Sequence, residues 1–169
     1  QIITEVAKTA GQLYAMQRHP NWCAPLMNSP LTPERQAYSK ANYDKIFAKC
    51  ESTRSGFQHD YIHDSVFDHT PEEREALLEE LYYQPGYAIW VGHYADMMTN
   101  ADANKVISDF IAKKIRQRVK DPKVAEKLIP KDHGFSSSGC RWSRAITRST
   151  IRTMSSWSTS AKTPSPRSR

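Results

Sequence analysis

Glycine is scarce in this chain, 6 of 169 residues, and nowhere do the glycines fall as G-x-G-x-x-G. That absence removes the loop that turns a strand into a helix around a dinucleotide pyrophosphate. Cysteine is scarcer: Cys23, Cys50 and Cys140 form an odd set without C-x-x-C spacing. Neither a disulfide framework nor a zinc site is expected, and a reducing cytoplasm is the default setting. No run of about 18 apolar residues occurs, so no transmembrane helix is expected. The opening QIITEVAKTAG has no basic n-region and no long apolar stretch, which excludes a signal peptide. No Met precedes it, so the chain is expected to begin inside an element.

Acidic residues are missing from one stretch altogether. After Phe135 the sequence reads SSSGCRWSRAITRSTIRTMSSWSTSAKTPSPRSR, rich in Ser, Thr and Arg and without Asp or Glu. Residues 1–135 carry 17 Lys and Arg against 18 Asp and Glu, a net of −1, whereas the tail carries +7. The formal +6 is therefore a property of the tail. A body at −1 has no electrostatic footprint for a phosphate backbone, so no nucleic-acid partner is expected of it. Taken at face value, the tail reads as a basic disordered RNA-binding arm on a small helical binding module.

What is present before the seam is mostly helical. Ile2, Ile3, Val6 and Ala10 share one helical face, and Gly11 suits the C-cap. Gln12–Gln17 is short, apolar and partly aromatic, which predicts a buried strand. A helix, a tight glycine and a strand are what is left of a βαβ unit without its first strand. Four prolines between Pro20 and Pro33 predict a loop, and Thr32-Pro33 opens a helix to about Cys50, with Tyr38, Ala41, Ile46 and Ala48 inward. Residues 51–69 are polar and irregular. Thr70-Pro71-Glu72-Glu73 is a capping box whose helix buries Leu77, Leu78, Leu81 and Tyr82 and stops at Pro85-Gly86. A further helix is expected over Tyr87–Met98. Ala103, Ile107, Phe110, Ile111, Ile115 and Val119 give the cleanest helical period, with Lys113, Lys114, Arg116 and Arg118 on the solvated side. Asp121-Pro122 starts a short helix that turns Val124, Ala125 and Leu128 inward.

The fold class expected is α/β: a partial Rossmann-like NADPH-binding domain with a predominantly α-helical insertion and a disordered or non-native tail. The boundaries are 1–30, 31–135 and 136–169. Arg18 closes the predicted strand. In a dinucleotide-binding βαβ unit that position faces the adenosine ribose, where an Arg accommodates the 2′-phosphate of NADP through a charge-assisted pair. Position alone leaves a surface arginine equally open.

His59, His63 and His69 are interleaved with Asp60, Asp64 and Asp68. They read as a solvated loop rather than a metal site, because the segment lacks helical pattern. Trp90 reads as core rather than as a stacking platform, and Trp22 follows Arg18 too closely to decide. Glu72, Glu73, Glu75, Glu79 and Glu80 read as a solvated helix face.

The stretch VKDPKVAEKLIPKDHGF, ending at Phe135, closely resembles the Baeyer–Villiger monooxygenases. EVAKTAGQLYAMQRHPNWCAPLMNSP is similar to that family's NADPH-domain helix, strand and Q-R-x-P-x-W loop. PEEREALLEELYYQPGYAIWVGHYADMMTNADAN is similar to its helical insertion. The resemblance implies an enzyme with separate FAD and NADPH domains that inserts an oxygen atom from O2 next to a ketone carbonyl, giving an ester or lactone. It implies that Arg18 holds the NADPH 2′-phosphate with Gln17 beside it, and that His19 stands where the family has Thr or Ser. It assigns no catalytic residue, metal, nucleic-acid or membrane partner to this chain. The Gly-rich loops and the family fingerprint F-x-G-x-x-x-H-x-x-x-W are absent, so this chain alone is expected to be an inactive fragment.

After D-H-x-F the family continues with Lys-Arg and a strand V-P-L-E-x-G-Y-Y-E, which Ser136 onward does not match. A shifted reading frame reconciles the two. Using the last base of one codon and the first two of the next, Gly139–Ser143 can encode V-P-L-E and Arg144–Thr150 can encode G-Y-Y-E-V-Y. Trp142 has a unique codon and satisfies the match. The expected cause is a frameshift just after Phe135. Sequencing the coding DNA checks this: the alternative frame should read K-R-V-P-L-E, and any other reading excludes a shifted frame.

Overall fold

A computed structural model describes residues 2–14 and 19–136 of the chain. Among these described residues seven α-helices run in chain order: α1 (Ile2–Thr9), α2 (Pro33–Ala41), α3 (Tyr43–Ser52), α4 (Pro71–Tyr83), α5 (Ala88–Val91), α6 (Ala101–Arg118) and α7 (Pro122–Leu128). Short 3-10 turns at Val66–Asp68 and Ala95–Met98 join them. Among the described residues there is no strand, only an isolated parallel bridge between Ile62 and Tyr94. The helical part of the expected α/β class is present. Of the predicted strand, residues 12–14 are irregular and 15–17 lie outside the described residues, as does the tail from 137. No helix among the described residues is long and apolar enough to cross a membrane.

Local side chains set the helix starts. Thr70 accepts from Glu73 N–H, and the Glu73 carboxylate accepts from Thr70 N–H at 2.8 Å, closing the predicted capping box of α4. That backbone bond holds the Glu73 carboxyl below its ordinary range. Asn100 Oδ1 accepts from Asp102 and Ala103 N–H at the start of α6, and Asp121 Oδ1 does the same for Lys123 and Val124 on α7.

The core forms around α6. Ala103, Ile107, Phe110, Ile111, Ile115 and Val119 are all buried, as the period requires. Leu78, Leu81 and Tyr82 of α4 meet them, and Ala125 and Ile129 close the far side. The predicted helix over Tyr87–Met98 is broken at Gly92-His93-Tyr94. There Ile62 N–H donates to His93 O at 3.1 Å and Ala95 N–H donates to Ile62 O at 2.8 Å, which removes both groups from a helical ladder. Gly92 is required at this break, since a Cβ would lie 2.8 Å from Ala88 O. His93 is fully buried, and desolvation, opposed by neighbouring carbonyls and Asp96, holds its imidazole below the ordinary value.

The helix predicted from Pro33 to Cys50 is two helices that turn at Asn42, and neither buries a residue. Tyr38 is 67 % exposed and Phe47 57 %, contrary to the inward face expected around Tyr38 and Ile46. Val6 on α1 is likewise exposed. The apolar spacing exists on α2 and α3, but it buries no residue there.

Lys114 corrects the expected solvated face of α6. It is buried, and its ammonium donates to both carboxylate oxygens of Glu79 on α4, one at 2.6 Å. The rings of Tyr82, Tyr83 and Phe110 surround it with centroids 5.2 to 5.3 Å away. Burial pushes the ammonium toward the neutral form, but the Glu79 hydrogen bond and charge outweigh it, so the net shift is upward from 10.5. The stabilisation linked to this shift is complete below 10.5 and is lost as pH rises through the higher folded value. Lys114→Met is expected to flatten the alkaline loss of stability, measured as urea midpoints between about pH 9 and about pH 12.

Candidate functional site at the clamp between the first loop and the last turn

The loop from His19 to Pro30 cannot become a helix, because its prolines lack N–H groups and restrict the residues before them. It is held instead by tertiary contacts. The Trp22 indole N–H donates to His133 O at 2.9 Å, and its ring meets Phe135 edge-on at 6.3 Å. Phe135 in turn stacks on Trp90 with centroids 4.3 Å apart. Further along, Gly86 N–H donates to Leu26 O at 2.8 Å. Gly86 has φ of 80°, a left-handed conformation that favours glycine.

The turn on the other side is fixed by α6. Phe135 N–H donates to Ser108 Oγ at 2.9 Å, and Asn104 Nδ2 donates to Phe135 O at 2.9 Å and to Met97 O at 2.8 Å. Ser108 also donates to Asn104 Oδ1. Asn104 lies so close to Gly134 that a Cβ there would sit 2.0 Å from Oδ1. Sequence reasoning missed Asn104 and Ser108. Their signal was available: two polar residues four apart on a helix whose neighbours are apolar.

Of the three predicted coenzyme residues, Gln17 and Arg18 lie outside the described residues. His19 is 68 % exposed, with Nδ1 3.7 Å from Asp132 Oδ2. Asp132 Oδ1 lies 2.7 Å from His133 Nδ1. That bond, then a backbone bond, then the charges of His133 and His19 hold the Asp132 carboxyl below its ordinary value. Behind the turn lies a groove of about 620 Å³, bounded by Trp22, Asn104, Ser108, Arg116, Lys131 and His133. Arg116 and Lys131 both reach Glu126, at 2.7 and 3.3 Å. His59 and His63 join no metal-ligating cluster, and among the described residues no three such side chains come together. His69 packs its ring against Tyr94 at 5.1 Å.

No family model matches the chain. It is 49 % identical over 137 residues to 2-oxo-Δ3-4,5,5-trimethylcyclopentenylacetyl-CoA monooxygenase of Pseudomonas putida, covering 81 % of this chain and 25 % of that protein. Cyclohexanone 1,2-monooxygenase of Acinetobacter sp. is 34 % identical, with 78 % and 24 % covered. The crystal structure of OTEMO in complex with FAD and NADP superposes with a TM-score of 0.85 at 44 % identity, over 89 % of this chain and 28 % of that one. The chain is a relative of the Baeyer–Villiger monooxygenases. It spans about a quarter of the length of the curated relatives it matches. The solved relatives of this flavoprotein group include FAD- and NADP-bound forms.

In this Baeyer–Villiger-related chain the clamp is the feature that holds the loop after Arg18. Trp22→Phe keeps an aromatic ring beside Phe135 but removes the bond to His133 O, and is expected to cost about 1 kcal/mol. Phe135→Ala removes the shared ring and is expected to cost about 3–5 kcal/mol. Chemical denaturation of the two variants checks the order.

Proposed function

We propose that the chain is the NADPH-side part of a Baeyer–Villiger-type flavin monooxygenase. The whole enzyme would use FAD, NADPH and O2 to insert an oxygen atom next to a ketone carbonyl, giving an ester or lactone. In this reading residues 1–30 belong to a Rossmann-like NADPH-binding domain and 31–135 to its helical insertion. Residues 136–169 are out-of-frame translation. The setting proposed is the cytoplasm. The 49 % identity over 137 residues to a monooxygenase of Pseudomonas putida carries the reading. The exposed apolar position Val6 on α1 supports it, since a Rossmann helix needs a sheet against that face.

The two cofactors fit this chain differently. Arg18 supplies a permanent positive charge and the following residue, His19, an exposed imidazole, a donor set suited to a coenzyme 2′-phosphate. The proposed role of Arg18 is to bind that phosphate, with Gln17 beside it, and the Trp22 bond restrains the loop that follows. NADPH, when bound, supplies the hydride equivalent; these residues only bind and orient it. For FAD the chain has no Gly-rich phosphate loop. Its residues do not fit that cofactor, and no step through a flavin is derived.

Titration of the chain by NMR or calorimetry tests the reading. NADPH should bind weakly, since the chain has no G-x-G-x-x-G loop to hold the pyrophosphate. Arg18→Ala should abolish that binding, and FAD should not bind. NADPH affinity unaffected by Arg18→Ala would overturn the assignment of Arg18.

A further inference from the structure

We propose that His93 is an acid-operated latch for residues 57–68, which are fastened at the break between α5 and the Ala95–Met98 turn: when the imidazole takes up a proton, the segment lifts from the helical body. The inference is independent of the coenzyme reading, since neither Arg18 nor the loop after it takes part.

The fastenings of this segment meet near residue 93. Ile62 N–H donates to His93 O at 3.1 Å, and Ala95 N–H donates to Ile62 O at 2.8 Å. The Tyr61 ring meets the imidazole edge-on at 5.4 Å. Asp96 Oδ2 accepts from Ser65 Oγ at 2.8 Å and from Val66 N–H at 3.0 Å. His93 and Val66 are both fully buried. Among the described residues His93 Nε2 finds no hydrogen-bond partner, and neither does the buried Asp96 Oδ1.

His93 Nδ1 lies 2.8 Å from Tyr94 O, which can only accept, so the neutral ring carries its proton on Nδ1 and a lone pair on Nε2. A buried lone pair costs little beside a buried cationic N–H without an acceptor. Desolvation accordingly holds the imidazole below its ordinary 6.5, against the carbonyls of Tyr94 and Trp90 and the charge of Asp96. Asp96 is already engaged by Ser65 and Val66. Turning its carboxylate toward an imidazolium breaks those bonds, and hydrating the imidazolium requires the segment to lift. Either outcome releases residues 57–68. The charged groups beyond Tyr94 are His69, whose ring packs on it at 5.1 Å, and Asp64, Glu73 and Arg74. His69 stands 3.8 Å from Asp64 Oδ2 and 3.9 Å from Glu73 Oε2, so a proton there adds attraction. With the segment lifted, the His93 imidazole is solvated. The closed form is therefore fully favoured above 6.5 and weakens as pH falls below it toward the lower folded value.

The test is amide hydrogen exchange by NMR on the full chain between about pH 8 and about pH 5, in a series of low urea concentrations. Protection of the Ile62, Val66 and Ala95 amides, corrected for intrinsic exchange, should fall by up to about tenfold per pH unit below 6.5, with weak urea dependence. Ile111, in the α6 core, should show the strong urea dependence of global unfolding. His93→Gln keeps a donor for Tyr94 O but cannot titrate, and should remove the pH dependence; His69→Gln should leave it. Loss of protection at Ile62 with the same urea dependence as Ile111 overturns the latch, since acid then unfolds the whole chain. A pH dependence that survives His93→Gln overturns it too. Should that variant not fold, the His93 ring resonances of the unsubstituted chain decide. An imidazole that titrates at or above 6.5 while Ile62 stays protected overturns the inference, and one that stays neutral until the segment opens supports it.

Discussion

The ring of Phe135 lies flat on Trp90 with Trp22 at its edge, while both of its backbone polar groups are bonded to side chains of α6. A turn can be buried only if its N–H and C=O groups find partners, and Asn104 and Ser108 provide them. In the seated turn His133 O is the acceptor for the Trp22 indole. The loop after Arg18, the end of α7 and the start of α6 thus share one anchor. Loss of the Phe135 ring would loosen the loop even though the two are more than a hundred residues apart in sequence.

The anchored body contrasts with the helices before it. α6 is apolar along one stripe, and that stripe is fully covered by α4, α7 and the Ala95–Met98 turn. α2 and α3 carry aromatic residues at helical spacing but bury none of them. Caps and hydrogen bonds within a helix are worth too little to hold such short elements without packing. The Pseudomonas putida relative is about three times as long as this chain. A segment taken from a larger fold is expected to show this division between helices that meet partners within the segment and helices that do not.

Much of the body was legible from side-chain pattern. The capping box of α4, the proline starts and the α6 period depend on residues within a few positions of one another, and all formed where read. The failures share a cause as well. The break at Gly92-His93-Tyr94 is imposed by Ile62, thirty residues upstream, whose backbone competes for the groups a helix would use. Lys114 lies four residues after Phe110 and seven after Ile107, on the apolar stripe of α6, where its charge leads to the expectation of solvent; Glu79, Tyr82 and Tyr83 come from the crossing of α4 over it. At the candidate site, His19 was named from resemblance, but its partner Asp132 was not, since only the folded turn brings them together.

Residue order alone specified the local events: where helices begin, which face of α6 is apolar, and that the composition changes after Phe135. It also carried the family resemblance, because stretches such as VKDPKVAEKLIPKDHGF are specific strings rather than averages. The tertiary structure decided which apolar faces are covered, where a predicted helix is interrupted, and which distant polar groups pair. Those outcomes depend on contacts between elements far apart in the chain. Burial and the need to satisfy backbone groups then outweigh local preference, which no nearby spacing records.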